Sequence, residues 1–260
     1  MQEAEAQNHQ GPQSKKPLLT EHLLSITNPE NYKLATQHLF LQAARTQSLD
    51  SALLSLWLSQ DRIYAAHGYP RFIGGLITKI PFSSEHSIDG ERERKNQRIL
   101  SVLTYSLENV VREADFFMKS AQKYGLNIEG WKERAATRAY CAEMARLSGW
   151  GSLEEGLVFL WAMEKLYLDS WTFVAQGLPD RAAAATQNST NQAIHDFAKN
   201  WSNKEFIKFV DDLAELVDDL NIDPDSELGA RAKRVWERVV ELEIEFWPQA
   251  GEDVQMRINT

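Results

Sequence analysis

Apolar residues recur at helical spacing along most of the chain after residue 16, and sustained apolar–polar alternation of the kind found in strands is absent. This pattern predicts an all-α protein. The predicted helices cover about 17–26, 30–46, 51–66, 96–123, 132–147, 152–176, 203–220 and 226–246.

Local signals set several of the predicted boundaries. Asn28 followed by Pro29 indicates the start of a helix, because proline favours the first helical position. Ser152 with Glu155 three residues later forms a capping-box pattern at the start of an apolar helix. Pro70 and the Gly74-Gly75 pair are expected to interrupt the segment that follows the third helix.

The domain organisation predicted from this pattern is simple. Residues 1–16 are polar and are expected to form a disordered tail, 17–250 a single helical domain, and 251–260 a second tail. Residues 80–95 are mostly polar and are expected to connect two helices. Residues 180–191 are small and polar, which fits either a loop or a loose helix.

Composition and charge narrow the function classes. The net charge of −9 argues against nucleic acid as a partner. The single cysteine, Cys141, rules out an internal disulfide framework and fits a reducing compartment, so a cytoplasmic location is expected. No stretch is long and apolar enough for a membrane span, and the polar N-terminus does not resemble a signal peptide.

The most informative residue is Glu164, which lies within the almost wholly apolar segment GLVFLWAMEKLYLDSWTFV. A helix that is apolar on all sides is normally buried. A carboxylate buried in it costs several kcal/mol unless it is paired, hydrogen-bonded or protonated. We therefore expect Glu164 to lie in the interior or in a cleft.

The same arrangement recurs on other predicted helices, where an acid is followed by an aromatic residue one turn later. Asp61 precedes Tyr64, Glu113 precedes Phe116 and Phe117, Glu164 precedes Tyr167, and Glu243 precedes Phe246 and Trp247. If these helix faces converge, they form an aromatic pocket lined by acids. Such a pocket suits a small cationic or amino-bearing ring.

Each of these residues also has a purely structural interpretation. Asp61 fits a solvated face of an amphipathic helix, and Glu243 fits a surface acid among Glu241 and Glu245. Tyr140 fits the core as well as a ligand contact, and Cys141 fits a small buried residue. No zinc, dinucleotide or Walker A motif is present, and no cofactor is expected.

Seven short segments in this order resemble the TenA family of aminopyrimidine hydrolases in thiamin salvage, which have a haem-oxygenase-like all-helical fold. The resemblance covers roughly residues 29–247. The segments are ATQHLF (35–40), WLSQDRIY (57–64), EADFF (113–117), AY (139–140), FLWAMEKLY (159–167), NWSNKEF (200–206) and LEIEFW (242–247).

The resemblance implies roles for the candidate residues. Glu243 is expected to act as a general acid or base near the scissile carbon, with Glu164 as its partner. Asp61 is expected to hold the exocyclic amino group and ring edge of an aminopyrimidine. The remaining substrate contacts are expected from Tyr64, Glu113, Tyr140 and Tyr167.

Within the family, the chain is similar to the subgroup that has a glutamate where the thiaminase II type has a catalytic cysteine. Met163 and Glu164 lie near that position, and Cys141 lies elsewhere. The expected reaction is therefore hydrolysis of an amino- or formylamino-methylpyrimidine rather than efficient cleavage of thiamin.

Two alternatives keep the fold and change the function. The first is a non-catalytic pyrimidine-binding or regulatory protein, or a hydrolase of another amine. The second is a haem or di-iron protein with His38 as a ligand, although a structural role for His38 is the simpler interpretation. The family also implies a homo-oligomer, either a dimer or a tetramer.

Overall fold

The computed structural model describes residues 17–179 and 188–258, and within them the protein is built from helices, as predicted. The expected tail at 1–16 lies outside the described residues. The helices are α1 (Leu19–Ile26), α2 (Pro29–Thr36), α3 (Leu39–Arg45), α4 (Ser51–Ile63), α5 (Tyr69–Ile77), α6 (Glu91–Tyr124), α7 (Ala135–Trp150), α8 (Leu153–Ala175), α9 (Ser189–Asn200), α10 (Lys204–Asp218), α11 (Glu227–Phe246) and α12 (Glu252–Met256). A π-helical turn, Tyr64–Gly68, joins α4 to α5.

Helix α8 occupies the centre of the molecule because it is apolar on nearly every face. It packs against α2, α3, α9, α10 and α11. The predicted capping box is present: Glu155 N–H donates to Ser152 Oγ, and Ser152 N–H donates to Glu155 Oε2. Gly156 allows α5 to approach closely, since a Cβ there would lie 2.2 Å from Leu76 Cδ2. Among the described helices, none is long and apolar enough to cross a membrane.

The single helix predicted over 30–46 is wrong, because the chain breaks into α2 and α3 at Gln37 and His38. His38 begins α3 as its N-cap, where Nδ1 accepts the Phe40 N–H at 3.1 Å. The break removes the helical partner of the Ala35 carbonyl, which instead accepts a hydrogen bond from Trp247 Nε1 at 2.8 Å. His38 Nε2 contacts the Gln249 amide at 3.0 Å, so both of its nitrogens have structural partners.

Pro70 and Gly74-Gly75 do not interrupt the chain as expected, since all three lie within α5. Pro70 has no N–H and its ring clashes with the carbonyl four residues earlier, so it perturbs the normal helical ladder at this point. It lies in the first turn of α5, directly after the π-helical turn, where a proline is tolerated. Gly75 serves packing, because a Cβ there would lie 2.5 Å from Ser148 Cβ on α7.

Two other regions differ from the prediction. Helix α6 begins at Glu91, within the segment 80–95 that was expected to lie between helices, because ERERK consists of strong helix formers. Helix α9 was not predicted. Asn188 caps it and Phe197 belongs to its buried face. Within 180–191, the segment expected to form a loop or a loose helix, residues 180–187 lie outside the described residues.

Residues 252–256, within the expected C-terminal tail, form α12. Arg134, at the start of α7, donates from Nε to Glu252 Oε1 at 2.6 Å and from Nη2 to Oε2 at 2.9 Å. The Arg257 guanidinium lies 3.5 Å from the centroid of the Trp131 ring. These contacts hold the segment against the domain.

Candidate active site

The four predicted acids converge on one cavity in the described structure. Asp61 comes from α4, Glu113 from α6, Glu164 from α8 and Glu243 from α11. The predicted tyrosines Tyr64, Tyr140 and Tyr167 line the same cavity, together with Ala65, Tyr69, Met163 and Phe246. The unfilled space between these side chains is about 430 Å³, a volume that includes open solvent at the mouth.

Each acid accepts a hydrogen bond from an aromatic side chain. Tyr69 Oη donates to Glu164 Oε1 at 2.6 Å, and Tyr140 Oη donates to Glu243 Oε1 at 2.6 Å. Tyr167 Oη donates to Asp61 Oδ2 at 2.8 Å. The fourth donor is the indole of Trp201, whose Nε1 lies 2.5 Å from Glu113 Oε1.

These donors orient the carboxyl groups and leave a second oxygen on each for other contacts. Glu243 Oε2 is buried and has no hydrogen-bond partner within the described structure. A buried polar atom in that state normally serves a catalytic or ligand-binding role, or contacts a water molecule. It is therefore the point where the cavity can engage a reacting atom.

Burial dominates the electrostatics of the cavity because it disfavours the charged form of each carboxyl group. It raises the pKa of Glu164 to about 8, with a further contribution from the nearby Glu113 carboxyl. Burial also raises the pKa of Glu243 to about 7, and the hydrogen bond from Tyr140 partly offsets this. Glu164 is thus mainly protonated at neutral pH, while Glu243 exists in both forms.

The other two acids are shifted in the same direction. Burial, followed by the Glu113 charge, raises the pKa of Asp61 well above its usual range. Burial raises the pKa of Glu113 to about 7, although its side chain keeps some contact with solvent. A cluster of four buried acids with raised pKa values marks this cavity as a candidate functional site.

Aromatic rings form the walls between the acids. Tyr64 packs against Tyr140 with ring centroids 5.0 Å apart and against Phe246 at 5.8 Å. The Tyr64 hydroxyl lies 3.2 Å from Met163 Sδ. The cavity therefore has aromatic walls with carboxyl groups at its edges.

Tyr69 and Trp201 are site residues that the sequence analysis missed. Tyr69 follows Tyr64 by five residues, which places the two residues on different faces of an α-helix. The π-turn between them brings both side chains to the cavity, with ring centroids 6.1 Å apart. Trp201 directly follows helix α9, which was not predicted. Its side chain therefore could not be assigned to a helix face from the sequence.

Cys141 lies outside this cavity. It lines a separate surface groove with His67, Arg71 and Glu133. Burial raises the pKa of its thiol, which disfavours the reactive thiolate.

Comparison with protein families gives one match, which covers most of the chain. The model of the TENA/THI-4/PQQC family matches residues 29–253. A soybean (Glycine max) relative named "Probable bifunctional TENA-E protein" is 23% identical over 218 residues, which cover 83% of this chain and 86% of that protein.

A relative from Fusarium pseudograminearum, named "Probable transcription factor", is 28% identical over 261 residues. The match covers 90% of this chain, which spans about half of that relative's length (51%). Among solved structures, a TenA homologue from Pyrococcus furiosus aligns with a TM-score of 0.72 at 22% identity. That alignment covers 88% of this chain and 98% of the homologue, and it supports the predicted haem-oxygenase-like fold.

Proposed function

Because the chain belongs to the TENA/THI-4/PQQC family, we propose that its acidic cavity hydrolyses an amino- or formylamino-methylpyrimidine derived from thiamin, giving hydroxymethylpyrimidine. The observation that carries this proposal is the pairing of Glu164 and Glu243. Both carboxyl groups are buried at the same cavity, each is held by a tyrosine, and one has an unpartnered oxygen.

Substrate binding follows from the walls and edges of the cavity. The pyrimidine ring lies among Tyr64, Tyr140 and Phe246, and the Asp61 carboxyl group contacts its exocyclic amino group and adjacent ring nitrogen. The hydrogen bond from Tyr167 orients that carboxyl group. A protonated aminomethyl group is attracted by the surrounding acids, which offsets the cost of removing it from water.

The chemistry requires one group that donates a proton and one that activates water. Glu164, whose pKa of about 8 keeps it protonated at neutral pH, maintains the proton on the leaving nitrogen. Glu243 in its ionised form accepts a proton from water through its free Oε2. The water oxygen bonds to the methylene carbon as the carbon–nitrogen bond breaks, which yields hydroxymethylpyrimidine and ammonia.

A formylamino substrate uses the same pair of acids in an earlier step. Water activated by Glu243 adds to the formyl carbon, and the amide nitrogen takes a proton as the carbon–nitrogen bond breaks. The products are formate and aminomethylpyrimidine, which then undergoes the reaction above.

The absence of a cysteine from the cavity lining predicts poor activity on thiamin itself. Without a thiol at that position, a covalent pyrimidinyl–cysteine intermediate has no nucleophile, and Cys141 lies in a different groove. Thiamin cleavage by the purified protein at a rate similar to that of the aminopyrimidine would contradict this part of the proposal.

The direct test measures ammonia released from 4-amino-5-aminomethyl-2-methylpyrimidine. We expect release by the wild-type protein and its loss in Glu164→Gln and in Glu243→Gln. Glu245→Gln is the matched control, because Glu245 lies on the same helix as Glu243 but is exposed to solvent. Loss of activity in the control as well, or no release by the wild type, would overturn the proposed roles.

A second candidate function comes from the name of the Fusarium relative, "Probable transcription factor". In that case the cavity binds a pyrimidine without turning it over. Stabilisation by the ligand with no ammonia release would favour this candidate over the hydrolase.

We also propose that the protein forms a homo-oligomer, either a dimer or a tetramer. Large apolar side chains remain on its surface, including Leu39 (68% exposed) and Trp150 (91% exposed). Light scattering coupled to size-exclusion chromatography measures the assembly, and a monomer at micromolar concentration would contradict the proposal.

A further inference from the structure

A surface groove runs beside the acidic cavity, between α6 and α10. It has an unfilled volume of about 700 Å³ and opens to solvent at Arg112 and Glu205, whose side chains are 56% and 68% exposed. Glu113 lines both the groove and the cavity. The two spaces therefore share a wall at this residue.

Glu113 is the most exposed of the four acids. Asp61 and Glu243 are each 3% exposed and Glu164 is 9% exposed, whereas Glu113 retains intermediate exposure. Trp201 holds Glu113 from the inner side, and Phe116 packs edge-on against Trp201 with ring centroids 5.9 Å apart. On the far side of Glu113 the groove is lined by aromatic residues, so a substituent that passed Glu113 would enter an aromatic groove.

The chemistry of the groove indicates what kind of substituent fits. Its aromatic surface includes Phe116 and Phe206, and Asn109 and Asn200 supply amide groups. Its cation, Arg112, is balanced by Glu205, with Nη2 and Oε1 3.6 Å apart. Aromatic rings and amides beside a balanced ion pair favour a flat, neutral group over an anion.

We propose that this groove is a second subsite, which binds the acyl group of an N-aroylaminomethylpyrimidine whose pyrimidine ring occupies the acidic cavity. The proposal rests on the proposed function and extends its substrate class from formyl to aromatic acyl groups. The space beside Glu113 is far larger than a formyl group requires, and its aromatic surface provides a stacking partner for an acyl ring.

The reaction at this subsite is amide hydrolysis. The water oxygen bonds to the acyl carbon, the acyl carbon–nitrogen bond breaks, and the nitrogen takes a proton. The products are an aromatic carboxylic acid and the aminomethylpyrimidine, and the step needs no oxidant or reductant.

The test compares dissociation constants for the aminomethyl, formylaminomethyl and benzoylaminomethyl derivatives of 4-amino-2-methylpyrimidine, measured in the first seconds after mixing by intrinsic fluorescence. Ammonia release and benzoate release are measured in parallel. The groove-filling variant is Asn109→Trp. The matched control is Glu108→Trp, because Glu108 is the neighbouring residue on α6 and is exposed outside the groove.

We expect the benzoyl derivative to bind the wild type about three- to tenfold more tightly than the formyl derivative, from one aromatic stacking contact. Asn109→Trp removes this gain and leaves binding of the aminomethyl compound unchanged, whereas Glu108→Trp retains the gain. Equal or weaker binding of the benzoyl derivative by the wild type would overturn the subsite, as would an equal loss for all three compounds in Asn109→Trp.

The outcomes also separate this inference from the proposed function. Turnover of the aminomethyl compound without a benzoyl gain refutes only the subsite. A benzoyl gain without any turnover supports the subsite as a binding site and refutes the hydrolase. If none of the three compounds binds, both proposals fail.

Discussion

The raised pKa of Glu164 makes a direct prediction about the pH dependence of folding. A carboxyl group whose pKa is higher in the folded state than in the unfolded chain destabilises the protein as the pH rises. Below about pH 4.5 the group is protonated in both states and costs nothing. Above that pH the unfolded chain loses the proton first, and the stability falls until the pH exceeds the folded-state pKa of about 8.

The size of this loss of stability follows from the pKa shift of Glu164. A pKa that moves from 4.5 to about 8 corresponds to ~5 kcal/mol at high pH, at 1.36 kcal/mol per unit. Roughly 2 kcal/mol of this is already present at pH 6, so the fall between pH 6 and pH 9 is about 3 kcal/mol. Glu164→Gln abolishes the ionisation, and the new side chain can still accept the hydrogen bond from Tyr69.

The assay is urea unfolding followed by far-ultraviolet circular dichroism at pH 6 and pH 9. The wild type should lose about 3 kcal/mol relative to Glu164→Gln between these pH values. The exposed-acid variant Glu245→Gln should follow the wild type, which controls for loss of a negative charge. If the wild type and Glu164→Gln change in parallel, burial does not hold Glu164 in its protonated form, and its assignment as proton donor fails.

Three further predictions concern single side chains. Tyr69→Phe removes a hydrogen bond that lowers the pKa of Glu164, so the alkaline limb of the kcat profile should move to higher pH, and an unmoved limb would contradict that coupling. Cys141→Ser should leave kcat/KM for the aminopyrimidine unchanged, and a large loss would place the thiol in the reaction. Gln60→Leu should lower the free energy of unfolding by ~3 kcal/mol, because the buried Gln60 Oε1 accepts hydrogen bonds from Arg134 N–H and Thr137 Oγ1, both at 2.8 Å. Urea denaturation measures this loss, and a change below about 1 kcal/mol would refute the prediction.

The placement of each acid on an aromatic helix face could be predicted from sequence, because a short-range rule sets it. An acid with an aromatic residue one turn later shares a helix face with it, and an acid within an otherwise apolar helix such as α8 must face a cavity or a partner. This argument identified Glu164 without a structure. It does not identify partners from distant segments, such as the hydrogen bond from Trp201 to Glu113.

The helix boundaries show where local patterns fail. Residues 30–46 have continuous helical periodicity, yet the chain breaks at Gln37. The Ala35 carbonyl then accepts a hydrogen bond from Trp247, about two hundred residues later. Residues 252–256 have no strong pattern and become ordered because Arg134 provides two hydrogen bonds to Glu252. In both cases tertiary contacts decide the local structure.

The π-turn at Tyr64–Gly68 has a consequence for how such a site can arise by mutation. A π-turn contains one residue more than the α-helical turn it replaces, so an insertion of a single codon into an α-helix can create one. The inserted residue rotates the following helix relative to α4 by about 100°, the angle per residue of an α-helix. In this protein, that rotation brings Tyr69 to Glu164 while Asp61 and Tyr64 keep their places. One insertion could therefore add the hydrogen-bond donor of Glu164 without a change in the surrounding helices.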